Sequence, residues 1–130
     1  MAFKRFTDVG GAYRPRASIR TVGQLGLNKG SVRRYGIDKY GYAVLYYDDE
    51  EQRIGIELIN DPNTDGAVVI HVRDGGGTIA AKSFLNCFEI DYSRKVTNDL
   101  EVEVVDGKQL LTFSSVKTSM KPKEPKTDTK

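Results

Sequence analysis

Tryptophan is absent, histidine occurs once as His71, cysteine once as Cys87, and proline only four times in 130 residues. A single cysteine excludes an internal disulfide framework, and one cysteine with one histidine cannot supply a zinc site of ordinary ligand spacing. No apolar run is long enough to span a bilayer as a helix. The N-terminal Met1-Ala2-Phe3-Lys4-Arg5 has no apolar stretch behind its charges, so no signal peptide is expected. These absences point to a cytoplasmic chain held together by burial rather than by covalent staples. Hydrophobic residues make up 38% and charged residues 29%, the balance of a globular domain.

What is present is a repeat. Ser18-Ile19-Arg20 is matched by His71-Val72-Arg73, 53 residues later. The same spacing pairs Gly23 with Gly76, Lys29 with Lys82, Val32 with Leu85, Tyr35 with Phe88, Ile37 with Ile90 and Asp38 with Asp91. Two units of this size are each marginal alone, and together they can close one core. The expected organisation is an arm over 1–13, one barrel domain over 14–116 (repeats 14–63 and 64–116), and a disordered tail over 117–130. That tail is rich in Lys, Pro, Thr and Ser and lacks the apolar residues that offset ordering entropy.

Periodicity sets the elements. Ala17 to Val22 reads as a strand broken by Gly23, and Leu25-Gly26-Leu27 as a short second one. Asn28 suits an N-cap for a helix over about 29–35, with Val32 and Tyr35 on its inner face and Gly36 as a left-handed stop. Strict alternation over Tyr42–Tyr47 and Ile54–Ile59 predicts a hairpin with the acidic tip Asp48-Asp49-Glu50-Glu51. In the second repeat Val68, Ile70 and Val72 alternate, and Gly75-Gly76-Gly77 interrupts them. Residues 81–88 are predicted helical with Phe84, Leu85 and Phe88 as the buried stripe, Tyr92 to Asn98 a connection, and Leu100 to Phe113 a hairpin turning at Asp106-Gly107. The fold class is therefore mainly β with two short helices, a small pseudo-two-fold β-barrel of two strand-helix-hairpin repeats. A barrel also removes exposed strand edges.

Ile19-Arg20-Thr21-Val22-Gly23-Gln24-Leu25-Gly26-Leu27, then Val32-Arg33-Arg34-Tyr35-Gly36-Ile37, then the hairpin around 41–59, together resemble the AbrB and MazE family of swapped-hairpin barrels. The resemblance spans about residues 15–116 and implies a barrel made of two interlocked halves, here duplicated within one chain. It further implies DNA binding through basic residues of the strand-loop-helix segment, where Arg20, Arg33 and Arg34 stand. The family's proline at the helix start is replaced by Asn28 and Lys29. Asn86 and Cys87 stand where the first repeat has Arg33 and Arg34, and Glu89 where it has Gly36.

Charge is divided along the chain. Residues 1–39 carry nine basic and two acidic side chains, net +7; residues 40–116 carry six and fourteen, net −8; residues 117–130 carry five and two, net +3. Such a division can orient an anionic partner, although exposed charge also simply solvates a surface. Arg14, Arg16, Arg20, Lys29, Arg33 and Arg34 are the candidate nucleic-acid contacts, able to meet phosphates from a strand and the adjacent helix. Asp48, Asp49, Glu50 and Glu51 are the candidate protein contact.

Little here supports enzymatic chemistry. His71 reads as an exposed strand residue rather than a general base. Cys87, on a helix packed into a small core, reads as an inert thiol. Gly75-Gly76-Gly77 fits neither phosphate-binding fingerprint and reads as a plain turn. The expectation is a non-enzymatic DNA-binding, transcription-regulating protein with no cofactor and no membrane partner, monomer or homodimer. The alternative is a protein-interaction module using the acidic tips and tyrosine-rich strands.

Overall fold

The structure is a computed structural model that describes residues 14–116. The expected arm over 1–13 and tail over 117–130 lie outside the described residues. In chain order the elements are β1 (Arg16–Arg20), β2 (Gln24–Leu27), α1 (Lys29–Tyr35), a 3-10 turn (Ile37–Lys39), β3 (Tyr42–Asp48), β4 (Arg53–Ile59), β5 (Val68–Arg73), β6 (Gly76–Ala80), α2 (Lys82–Cys87), β7 (Val96–Asp99), β8 (Glu101–Val105) and β9 (Lys108–Ser114). The fold is mainly β with two short α-helices. One nine-stranded sheet runs β7-β1-β2-β6-β5-β3-β4-β9-β8. Its two end strands, β7 and β8, follow one another in the chain with only Leu100 between them, so the sheet curls into a nearly closed barrel.

Every ladder is antiparallel. Alternation sends Ala17, Ile19, Leu25, Leu27, Ile54, Ile56, Ile79 and Phe113 inward, all at 2% exposure or less. Val32 and Ile37 after β2, and Leu85 and Ile90 after β6, join the same cluster. Burying a side chain of this kind is worth about 1.5–3 kcal/mol, so one shared interior dominates stability.

The two halves are related by an approximate dyad that the registers reveal. Arg20 closes the first hairpin onto Gln24 across a three-residue loop, whereas Arg73 closes the second onto Gly76 across the two-residue turn Asp74-Gly75. That one-residue difference makes Gly26 the counterpart of Thr78, and these two residues pair directly in the β2·β6 ladder. On the far side, Tyr42 pairs with Val69 and Asp99 with Arg16. Leu45 then corresponds to Val102 and Ile56 to Leu111, and Ile56 and Leu111 also face each other. A two-fold relation between antiparallel strands requires counterparts to meet in this way.

Local chemistry fixes the helix ends. The Asn28 side chain accepts from the Ser31 amide at 2.9 Å and caps α1. Gly36 ends α1 at φ 62°, and its counterpart Glu89 holds the same left-handed conformation at φ 55° after α2. The Ser31 hydroxyl is fully buried and donates to the Arg16 carbonyl at 2.8 Å, tying α1 to β1.

Several expectations need correction. The first strand is Arg16–Arg20 and stops short of Val22. The expected connection from Tyr92 to Asn98 contains the start of β7, whose inward residue Asn98 is buried and donates to the carbonyls of Ser114 and Val116. Gly23, at φ 85°, has its conformational counterpart in Gly75, at φ 83°, not in Gly76, which begins β6. In α2 only Leu85 is buried; Phe88 is exposed, as is Cys87, which was expected to pack inside.

Candidate nucleic-acid interface

The dyad emerges on the outer face of β1, β2, β6 and β5. Because Ala17, Ile19, Leu25 and Ile79 point inward, Ser18, Arg20, Gln24, Gly26, Thr78, His71 and Arg73 point outward. Ser18, Gly26, Thr78 and His71 form one row across the four strands. The row is small at its centre. Arg20 lies flat across that centre: a Cβ on Gly26 would fall 2.6 Å from the Arg20 Nη2, and Arg20 Nη1 donates to the Thr78 hydroxyl at 3.2 Å. Beside it, Gln24, Ile70, His71, Val72, Arg73 and Thr78 line a groove of about 560 Å³.

Two lysines flank this face, and the repeat places them. Lys82, at the start of α2, packs on Gly23 of the first hairpin, where an added Cβ would lie 2.9 Å from the lysine Cβ. Lys29, at the start of α1, packs on Gly75 of the second hairpin, where the added Cβ would lie 3.2 Å from the lysine Cγ. Each lysine thus crosses to the other repeat's turn. Both are exposed. Arg20 with Lys82 at one end and Arg73 with Lys29 at the other make four cations arranged about the dyad. Asp74, exposed in the second turn, is the one carboxylate of that hairpin loop, and its counterpart loop Thr21-Val22-Gly23 has none.

Of the six basic residues picked out by sequence, only Arg20 and Lys29 belong to this set. Arg14 and Arg16 line a separate depression with Arg53, Asp99 and Glu101. Arg16 Nε stands 3.7 Å from the Asp99 carboxylate, so part of its charge is already answered. Arg33 and Arg34 occupy the last turn of α1, where basic side chains suit the carbonyl end of a helix. Arg34 faces a third depression, beside Tyr40, Glu57 and Lys108. Sequence reasoning did not select Arg73, Lys82 or the groove residue His71. The 53-residue spacing that relates Arg20 to Arg73 and Lys29 to Lys82 was the signal that could have found the first two.

The acidic tip is a turn in its own right. Asp48 accepts from the amides of Glu50 and Glu51 at 3.0 and 3.2 Å, leaving Asp49, Glu50 and Glu51 exposed. On the barrel wall nearby, Arg53 pairs with Glu103 and lies 3.6 Å from Glu101. Tyr46 donates to Glu57 at 2.6 Å, and this bond raises its pKa above the ordinary 10.0. The hydrogen bond to Tyr46 and the charge of Glu57 likewise raise that of Lys108. Among the described residues no group of three or more His, Cys, Asp or Glu side chains could hold a metal ion, and no helix is long and apolar enough to cross a membrane.

The chain matches no family model, no curated protein and no solved structure.

Proposed function

We propose that this protein is a non-enzymatic nucleic-acid-binding protein of regulatory type. It docks the DNA phosphate backbone on the outer face of β1, β2, β6 and β5. The observation that carries this reading is the repetition of Arg20 and Lys82 as Arg73 and Lys29 about one dyad, around a centre of Ser18, Gly26 and Thr78. Cations set apart on a surface of small residues can approach a backbone closely, and arginine and lysine are the side chains that position a protein on phosphates. His71 and Gln24 add groups able to hydrogen-bond phosphate or base edges. The resemblance to AbrB and MazE barrels supports placing the interface at the dyad. The acidic hairpin tips and the Arg53–Glu101–Glu103 wall carry the opposite sign, which favours a single docking face.

Four phosphate contacts give a slope of about −3.6 in log affinity against log salt. Fluorescence anisotropy on labelled duplex DNA, titrated at several salt concentrations, measures it. Arg73→Ala, at an exposed position outside the core, should weaken binding roughly tenfold and reduce that slope by about one. Absence of binding at low salt, with the circular dichroism of the folded protein intact, would sink the proposal.

A further inference from the structure

The docking face is built on a dyad, but its two halves do not carry the same chemistry. The groove beside Arg73 is lined by Gln24, Ile70, His71, Val72, Arg73 and Thr78. The registers that define the dyad carry these positions to Gly76, Ala17, Ser18, Ile19, Arg20 and Gly26. Gln24 thus becomes a glycine, His71 a serine and Thr78 a glycine. The Ser18 hydroxyl is already engaged, 2.8 Å from the Thr97 hydroxyl of β7. His71 is exposed, and Gln24 is half-buried in the groove wall. Side chains that can donate and accept toward a ligand are therefore gathered in one half of the face.

The two arginines cannot lie alike either. Arg20 lies flat because Gly26 has no Cβ beneath it and because Thr78 supplies the hydroxyl it donates to, at 3.2 Å. For Arg73 the dyad exchanges these two residues. Thr78, with its Cβ, then stands where a bare Cα is needed, and Gly26 stands where the hydroxyl is needed. Arg20 thus covers the centre of the face, whereas Arg73 lines the groove without filling it.

The turns differ in sign as well. Thr21-Val22-Gly23 is uncharged, whereas Asp74-Gly75 presents an exposed carboxylate. A face that met only phosphates would gain nothing from Asp74, because like charges repel. Base edges are different. The cytosine amino group donates to a carboxylate, and adenine offers the paired donor and acceptor that a glutamine carboxamide matches. Strands can be seated in the major groove, where each base pair presents a distinct pattern.

Resting on the docking face described above, we propose that base recognition belongs to one half of it. Gln24, His71 and Asp74, in the groove and its turn, contact base edges in the major groove. Arg20, Lys82, Lys29 and Arg73 hold the backbone. The partner is then duplex DNA bearing a short site without two-fold symmetry, although the barrel itself is two-fold in outline.

In vitro selection by the full chain from a random duplex library tests this, followed by fluorescence anisotropy on the enriched duplex and on a scrambled one. The enriched sequence should contain no inverted repeat. His71→Ala should lower the ratio of the two affinities by roughly tenfold, as loss of a base contact does. Gln24→Ala should do the same, and it replaces His71→Ala if circular dichroism shows that variant misfolded. Lys82→Ala keeps the Cβ that packs on Gly23. It should weaken both duplexes by a like factor and leave the ratio in place. An inverted repeat in the enriched sequence would overturn the proposal. So would a ratio that Lys82→Ala lowers as much as the groove variants do. Equal binding of all duplexes would overturn it while leaving the docking face standing, and no binding at low salt would remove the face and its base contacts together.

Discussion

Gly23 and Gly26 lie three residues apart and meet their surroundings in opposite ways. Gly23 sits at φ 85°, and a Cβ there would press on the Cβ of Lys82 at 2.9 Å and on its Cα at 3.3 Å. Neither atom can yield without moving α2. The left-handed backbone alone costs a non-glycine residue about 1–2 kcal/mol, so Gly23→Ala should destabilise by about 2 kcal/mol or more. Gly26 has ordinary backbone angles, and the atoms nearest its added Cβ all belong to the far end of Arg20. That guanidinium can swing aside. Gly26→Ala should therefore leave stability within about 1 kcal/mol of the parent, yet release Arg20 from Thr78. Urea denaturation compares the two variants, and the Arg20 Nε–H NMR signal reports the released side chain. An equal loss of stability in both would contradict the view that Gly23 serves packing and Gly26 serves the position of Arg20.

The outer surface of β3, β4 and β9 carries a titrating cluster with a defined pH response. The Tyr46 phenol donates to Glu57, and Lys108 lies 3.5 Å from the same hydroxyl and 4.0 Å from the carboxylate. Both Tyr46 and Lys108 have folded pKa values raised above the ordinary 10.0 and 10.5. A raised folded value means the folded state holds its proton more tightly. The contribution is thus complete below the unfolded value and disappears as pH rises through the folded one. Thermal midpoints should hold steady to about pH 9.5 and then fall, and Tyr46→Phe should flatten that fall. A Tyr46→Phe curve that drops as steeply as the parent would remove Tyr46 from the cause. These strands were also the most legible in the sequence, because seven-residue alternation with a polar tip has few other readings. β7 was not legible, since its inward position is Asn98, whose amide is met by the carbonyls of Ser114 at the end of β9 and of Val116 just beyond it, sixteen and eighteen residues away. The triple glycine hid the shift of register for a related reason: Gly75, Gly76 and Gly77 each match Gly23 as letters, and only φ tells them apart. The basic residues were grouped by their place in the chain. Their sorting depended on partners from the second repeat, Asp99 for Arg16 and Thr78 for Arg20, which no local pattern announces.

The whole barrel is two halves that lend strands to each other. Of the eight ladders among the described residues, four join strands of one repeat (β1·β2, β3·β4, β5·β6, β8·β9) and four cross between repeats (β1·β7, β2·β6, β3·β5, β4·β9). Cut between Asn63 and Thr64, either half would expose the inner faces of both its hairpins and lose every crossing ladder. A chain of that length is marginal even when its own core is intact. Lys29 and Lys82 would lose the turn glycines on which they pack, since each rests on the other repeat. The separate fragments 1–63 and 64–130 should accordingly show no cooperative unfolding, and mixing them in equal amounts should restore the sheet signal and a single transition. Circular dichroism and analytical ultracentrifugation on each fragment and on the mixture distinguish the outcomes. A fragment that unfolds cooperatively as a monomer would show that one repeat holds a complete core, and the dyad would then be a consequence of assembly rather than the condition for folding.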